Sequence, residues 1–194
     1  MVLNAVRVWL VVMIGVALAA CAQVPPPTFP ELTFTDKPPL QMTVNSIEVV
    51  DEYTPPGRPP NVEHEFPRQP ASVVSRWASD RLVAAGGTAD LRVIIENGAA
   101  TETELETKRG LRGLVRDEQS KRYEAVLAVR VEVYEAGFER AFAKVEVRRS
   151  RTAPQSVSLN ERDMLFYDMT KALALEFDAE MERHIRQFLG AYVR

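Results

Sequence analysis

The stretch Tyr123-Glu-Ala-Val-Leu-Ala-Val-Arg-Val-Glu-Val133 decides the fold, because apolar side chains occupy every second position along it. Alternation of this kind is typical of a β-strand that buries one face. The turn Glu135-Ala136-Gly137 follows, and the alternation then resumes with Ala141, Ala143, Val145 and Val147. The two segments predict an antiparallel hairpin with one face in the core and the other in water.

Further strands are predicted upstream of this hairpin. Leu91, Val93 and Ile95 alternate with the charged residues Asp90, Arg92 and Glu96, and Gly98 after them predicts a bend or a bulge. The segment 101–107 places three glutamates on one face, which is typical of a strand face in water. Nearer the N-terminus, residues 42–52 predict the first strand of the domain.

Two helices are predicted by apolar residues that recur every three or four positions. The first follows Pro70 and ends at the glycine pair 86–87. The second begins with a capping-box pattern, Ser158 with Glu161, and extends to residue 193 in this prediction. Such a helix is about 50 Å long, whereas a typical strand is about 17–20 Å long. Its second half is therefore expected to need another surface or to protrude.

The predicted order of elements is β-α-β-β-β-α, which places the chain in the α+β class. We expect an antiparallel sheet of about four strands with two helices on one face, the C-terminal helix being long. Residues 41–194 form a single domain in this prediction, with Trp77 as a core anchor. The proline-rich residues 21–40 are expected to act as a semi-rigid tether of up to roughly 60 Å. A ligand for a proline-binding module is the alternative.

The first twenty residues have the pattern of a signal peptide. Arg7 supplies the positive charge, and the apolar run 8–17 is too short to span a membrane. Leu18-Ala19-Ala20-Cys21 resembles the lipobox of bacterial lipoproteins. The resemblance implies cleavage before Cys21 and lipid on its sulfur and amine. The alternative is a soluble secreted chain with a free thiol.

The residue after the lipobox cysteine indicates which of the two membranes holds the protein. Ala22 stands there, whereas lipoproteins retained at the inner membrane of Gram-negative bacteria tend to have aspartate. The resemblance therefore implies the periplasmic face of the outer membrane, with the inner membrane as the alternative.

Composition excludes some partners and cross-links. The formal net charge is −3, from 24 Lys+Arg and 27 Asp+Glu, and removal of residues 1–20 takes away one positive charge. A negative mature chain does not favour nucleic acid as a partner. Because the sequence contains one cysteine, the mature monomer cannot form an internal disulfide.

Few residues indicate catalysis or metal binding. His64 lies between Glu63 and Glu65, whose carboxylates could join it as metal ligands. On an extended segment, however, both glutamates would point away from His64, and His184 lies in a charged helical stretch typical of solvent. The sequence has no Gly-x-Ser-x-Gly motif and no phosphate-binding loop. We therefore expect no enzyme, no metal and no cofactor, with a hydrolase as the least favoured alternative.

Basic residues concentrate in the segment 108–122, which contains two acidic residues. The basic residues are Lys108, Arg109, Arg112, Arg116, Lys121 and Arg122. They are either the solvated tip of a long hairpin or a contact for anionic lipid, lipopolysaccharide phosphates or an acidic partner. A second basic cluster, Arg148, Arg149 and Arg151, ends the last predicted strand.

The order of elements over about 41–193 is similar to that of the lipopolysaccharide-assembly lipoprotein LptE and related small envelope lipoproteins. That resemblance implies an accessory binding role in outer-membrane assembly or transport, with an envelope protein, anionic lipid or lipopolysaccharide as partner. The alternative is a structural lipoprotein that self-associates through its C-terminal helix.

Overall fold

A strand of 17 residues is the centre of the fold. The computed structural model describes residues 28–105 and 119–194. The strands are β1 (Leu40–Met42), β2 (Ser46–Asp51), β3 (Leu82–Ala84), β4 (Asp90–Asn97), β5 (Ala100–Glu104), β6 (Gln119–Glu135) and β7 (Phe138–Pro154). The α-helices of these residues are α1 (Ser72–Arg81) and α2 (Leu159–Phe188). Two 3-10 turns, Glu63–Glu65 and Gly190–Tyr192, complete the described elements.

The long strand β6 pairs along both of its edges. On one edge it forms the predicted antiparallel hairpin with β7 over almost its whole length. On the other edge β4 pairs with its second half and β5 with its first half, both antiparallel. The break between β4 and β5 falls at Gly98, where a bend was predicted. A Cβ there would lie 2.5 Å from the Cβ of Ala71, so α1 begins directly against this break.

The sheet is mixed, and the prediction of a purely antiparallel four-stranded sheet is wrong. Strand β2 pairs with β4 in parallel, giving a sheet of five strands, while β1 and β3 form a separate parallel pair. The reason is that α1 lies between the paired strands in sequence, and a helical crossover returns the chain in the same direction. The α+β class itself and the long C-terminal helix are confirmed.

Two predicted elements are each divided in the structure. The predicted strand 42–52 is interrupted because the Asn45 N–H donates to the Ala89 carbonyl, outside either strand ladder, and Val44 is buried there. The first helix ends at Arg81 rather than at residue 85. Leu82 adopts extended backbone angles and lies opposite Leu40 in the β1–β3 pair, so its strand pairing replaces the last predicted helical turn.

The C-terminal helix begins as predicted and is packed to its end. Both bonds of the capping box between Ser158 and Glu161 are present. Its 30 residues extend about 45 Å, but β6 and β7, at 17 residues each, extend about 58 Å. The sheet is therefore long enough to cover the helix, and Met181, Ile185 and Leu189 are fully buried. The expectation that the second half of the C-terminal helix would need another surface or protrude is wrong, because these strands are unusually long.

One face of the sheet carries both helices. Trp77 of α1 is fully buried, as predicted, and its ring packs edge-on against Phe177 of α2 at 5.0 Å. These residues share a core with the inward side chains of the sheet, among them Val93 and Val129. Among the described helices, none combines the length and the apolar character needed to cross a membrane.

Candidate functional site

Most of the sequence-predicted site residues lie outside the described part of the chain. These are Cys21, Lys108, Arg109, Arg112 and Arg116. Their roles in lipidation and in anion binding therefore stay predictions. The residues on either side of 106–118 are described. Leu105 donates its N–H to the Ser120 carbonyl where β5 and β6 meet.

The structure brings Lys121 and Arg122, the described residues of the first basic cluster, close to the second cluster. Lys121 and Arg122 stand near the start of β6, which pairs with the end of β7. Arg122 lies opposite Thr152, and the residue after it lies opposite Arg151. We call the resulting surface the basic end, and it consists of Lys121, Arg122, Arg148, Arg149 and Arg151.

Carboxylates neutralise part of the basic end. The close ion pairs are Lys121–Glu102 at 2.7 Å, Arg149–Glu176 at 2.8 Å and Arg148–Glu124 at 3.3 Å. Arg122 is held more loosely, with 3.7 Å between its Nη2 and Glu124 Oε2. Arg151 makes no ion pair within residues 28–105 and 119–194, and its guanidinium donates to the Ser150 carbonyl at 3.3 Å. Arg122 and Arg151 are therefore the groups best able to meet an anionic partner.

The N-terminal segment enters the domain close to this surface. The ring of Phe29 packs on that of Tyr167, with 5.3 Å between centroids. The preceding residue, Phe166, packs edge-on against Tyr123 at 4.8 Å, and Tyr123 follows Arg122 in β6. The chain that leads from the predicted anchor therefore reaches the domain on the helical turn beside the basic end.

Residues 28–39, here called the strap, are packed on the domain. Phe34 is 2% exposed and belongs to the core, and its N–H donates to Asp80 at 2.9 Å. The Arg68 guanidinium donates to the carbonyl of Phe29 at 3.0 Å. The prediction of a tether over 21–40 is therefore wrong for its described part, because Phe34 gains core burial that an extended spacer would forgo.

A buried ionic cluster fastens the strap to both helices. Asp178 of α2 is 3% exposed and accepts hydrogen bonds from three side chains. They are Lys37 of the strap at 2.7 Å, Arg81 at 2.8 Å and the Trp77 indole N–H at 3.0 Å. Arg81, itself 1% exposed, also donates to the carbonyl of Pro38 and to Glu182. Buried charges need such complete pairing, because an unpaired one is strongly destabilising.

The pKa of Asp178 reports this arrangement. Burial by itself raises the pKa of the carboxyl, since it disfavours the charged form. Hydrogen bonds from Lys37, Arg81 and Trp77 outweigh burial and hold the pKa below its ordinary value. Asp178 is therefore ionised at neutral pH, and its charge together with that of Glu182 balances the two cations Lys37 and Arg81.

The sequence contains a signal for this cluster in two charged residues that lie within apolar stripes. Asp178 lies on the apolar stripe of α2 between Phe177 and Met181, and Arg81 lies next to Leu82 on the buried side of α1. A charge within each stripe indicates a buried pair. Which charges pair with each other depends on how the helices cross, and the periodicity does not contain that information.

The segment around His64 is a 3-10 turn rather than an extended strand. Glu63 is 1% exposed and accepts from the Tyr53 hydroxyl, the Asn61 amide and the Ala100 N–H, each at 3.3 Å. Burial, followed by the charge of Glu63, raises the pKa of Tyr53 to about 12. His64 is exposed. Glu63 thus joins the proline-rich loop to the edge of β5.

The second histidine is not simply solvated. His184 is half-buried, and its Nδ1 lies 2.7 Å from the carbonyl oxygen of Lys144 in β7. Its ring meets that of Phe188 edge-on at 5.5 Å. Across the described residues, no three histidine, cysteine or carboxylate side chains are grouped so that they could hold a metal ion.

No protein-family model matches the chain, and no curated protein matches it. Similar solved structures include the rare lipoprotein B from Shewanella oneidensis, at 18% identity over 73% of this chain and 99% of that chain, with a TM-score of 0.32. An uncharacterized lipoprotein B from Nitrosomonas europaea has 16% identity over 83% and 93%, with a TM-score of 0.42. A minor lipoprotein from Acinetobacter baumannii has 10% identity over 75% and 94%, with a TM-score of 0.37. Because these TM-scores are below 0.5, the function proposed below rests on the residues of this chain.

Proposed function

We propose that this chain is a lipid-anchored envelope protein that binds an anionic surface or partner through its basic end together with the predicted basic residues of the adjoining segment, Arg109, Arg112 and Arg116. The anchor is Cys21 in the lipobox-like sequence, and the membrane is the outer membrane, with the domain in the periplasm. One observation carries the proposal: the strap enters the domain beside the strand ends from which the segment 108–118 extends. Anchor and basic residues therefore belong to the same end of the molecule.

Strap docking shortens the distance between domain and membrane. Seven peptide steps separate Cys21 from Thr28, where the described chain begins. A fully extended chain covers at most about 3.6 Å per residue, so these steps reach about 25 Å at most. A free tether of the same proline-rich segment would reach roughly 60 Å. The docked strap therefore keeps the basic end near the headgroups.

Electrostatics near a membrane make this placement useful. Each Lys or Arg close to an anionic leaflet contributes about 1 kcal/mol, and the attraction fades within a Debye length of about 8 Å. Tethering also raises the effective concentration of the basic end at the surface, so weak contacts suffice. An accessory role in outer-membrane assembly or transport is consistent with these properties, and lipopolysaccharide phosphates are the anions that the resemblance to LptE suggests.

We propose binding rather than catalysis because the buried ionisable groups have structural partners. Asp178 and Arg81 bind each other and hold the strap, and Glu63 binds a loop to β5. A hydrolase remains the alternative, which an activity screen against ester and glycoside substrates would reveal.

Vesicle binding tests the proposal. The Cys21→Ser chain, which lacks the lipid, should bind vesicles of anionic lipid, and binding should weaken as salt rises. Changing Arg109, Arg112 and Arg116 together to Gln should weaken binding by at least tenfold. The matched control changes Arg92, Arg140 and Arg183 to Gln, since these are exposed arginines toward the other end of the hairpin. Equal weakening in both triple variants would show a non-specific charge effect and contradict the proposal.

Self-association through α2 is the second candidate function. Met164, Leu175 and Phe188 of this helix are each more than half exposed. They are separated by several turns, so they do not form one continuous patch. Analytical ultracentrifugation of the Cys21→Ser chain, compared with its Leu175→Glu variant, decides between a monomer and a dimer that depends on this face.

A further inference from the structure

A groove of about 390 Å³ lies between the strap and α1, and none of its lining residues belongs to the basic end. Glu31 and Leu32 of the strap form one wall, and Val73, Ser75 and Ser79 of α1 form the other. Arg68 lines the groove and also binds the strap through the carbonyl of Phe29. The groove therefore exists because the strap is docked, and it combines polar donors with an apolar floor.

The donors in this groove are incompletely used. The Nε–H of Arg68 is buried and has no acceptor among the described residues, although Nη2 of the same guanidinium is bonded. This nitrogen is enclosed by protein atoms, so a molecule in the groove meets other atoms of Arg68, and Arg76, which is exposed, lines the same groove. Ser75 and Ser79 lie one turn apart on the same face of α1, and their exposed hydroxyls make no hydrogen bond within the described structure.

We propose that this groove binds a phosphate ester that carries an alkyl group. Guanidinium groups hold phosphate oxygens through charge-assisted hydrogen bonds, and the two serine hydroxyls add donors on a third side. A tetrahedral anion can satisfy donors from several directions, whereas a planar carboxylate satisfies fewer. Leu32 and Val73 supply the contact for the first carbons of the alkyl group.

The size of the groove and one opposing charge set its selectivity. A volume of about 390 Å³ suits a headgroup with a short apolar portion, near the lower limit for small-molecule sites. Glu31 on the facing wall repels an anion and so limits the affinity. Replacing Glu31 with a neutral residue should therefore increase the affinity. Both a lipid headgroup and a soluble phosphate ester have the chemistry that the groove requires.

Calorimetric titration of the Cys21→Ser chain with octyl phosphate tests the site. Octyl phosphate should bind at least tenfold more tightly than inorganic phosphate and than octanoate. The double variant Ser75→Ala with Ser79→Ala should weaken binding at least fivefold, and Glu31→Gln should tighten it several-fold. These positions are exposed, so the variants are expected to fold normally. The control, Arg140→Gln, removes a remote arginine and should change nothing.

Arg68→Gln should reduce binding most, and circular dichroism will show whether this variant folds, because Arg68 also holds the strap. Unchanged affinity in the serine and Glu31 variants, or octanoate binding as tightly as octyl phosphate, would overturn the proposal. Changing Arg109, Arg112 and Arg116 to Gln should leave octyl phosphate binding intact, which separates this site from the basic segment that the vesicle experiment tests.

Vesicles that contain phosphatidic acid in phosphatidylcholine identify the source of the ligand. If the double serine variant loses vesicle binding as well as octyl phosphate binding, the natural ligand is a lipid headgroup. If it loses only octyl phosphate binding, the ligand is a soluble ester. Both outcomes support the site. A double serine variant that keeps both vesicle binding and octyl phosphate binding would overturn it.

Discussion

Lys37 Nζ lies 2.7 Å from Asp178 Oδ2, and this ion pair joins the N-terminal strap to the C-terminal helix across 141 positions of sequence. Asp178 is 3% exposed, whereas the Lys37 side chain is 40% exposed. The more exposed lysine of the strap therefore binds a carboxylate that is buried in the domain. Through this contact, the segment that leads to Cys21 becomes part of the folded domain.

The Asp178→Asn variant should lose about 3–5 kcal/mol of stability, because Arg81 would remain buried without its main counter-charge. The pKa of Asp178 is lowered in the folded state, so its stabilising effect is complete above the ordinary aspartate pKa of about 3.9. That effect is lost as pH falls through the lower folded pKa. Urea unfolding should show a large difference from wild type at pH 6 that narrows toward pH 2. A difference of equal size at both pH values would contradict this role.

Removal of the lysine should loosen the strap around position 37 and leave Phe34 in the core. Lys37→Ala should lower stability by about 1 kcal/mol or less, since the lysine is substantially exposed. Limited proteolysis within residues 28–39 should nevertheless become faster. Lys171→Ala is the control, as this lysine of α2 is exposed and forms no ion pair in the described structure. If the strap is cleaved at the same rate in both variants, Lys37 does not hold it.

Trp77 combines packing with a hydrogen bond, and two substitutions separate these contributions. Trp77→Ala should cost about 3–5 kcal/mol, because the ring is fully buried. Trp77→Phe keeps much of the packing but removes the donor to Asp178, so it should cost less. Thermal unfolding measures both variants. A melting temperature near that of wild type for the alanine variant would mean that the α1 stripe is not in the core.

Gly98 permits the close approach of α1 to the sheet. Gly98→Ala would place its Cβ 2.5 Å from the Cβ of Ala71, and overpacking of this kind costs about 1–3 kcal/mol. The matched control is Gly190→Ala, where nothing lies within 4 Å of the added Cβ. Chemical denaturation should therefore show destabilisation for Gly98→Ala alone. Similar losses in both variants would point to backbone flexibility rather than to the contact with Ala71.

Local patterns predicted much of the fold. The alternation in the hairpin, the bend at Gly98 and the capping box at Ser158 depend on neighbouring residues, and the structure confirms each of them. The parallel pairing of β2 with β4 could not be read in the same way, because it depends on where the chain goes after α1. Leu82 shows the same limit, since its pairing with Leu40 overrides a helical pattern.

The candidate site was predictable only as separate clusters. The basic residues of 108–122 and of 148–151 are evident in the sequence, but the proximity of Lys121 and Arg122 to the second cluster follows from the register of β6 and β7. Docking of the strap was not predicted, because its prolines are typical of a spacer. The burial of Phe34, with the packing of Phe29 and Leu32, reverses this interpretation.

The central claim is that the basic end faces the membrane to which the chain is anchored. Because the proposed lipidation would occupy Cys21, which is the single cysteine of the sequence, an introduced cysteine could be labelled alone in the lipidated chain. Thr152→Cys places a fluorophore at the basic end, and Ala136→Cys places one at the turn between β6 and β7. The measurement is quenching of each label by a headgroup quencher in anionic liposomes. We expect strong quenching at position 152 and little at position 136. Equal or reversed quenching would contradict an orientation with the basic end toward the membrane.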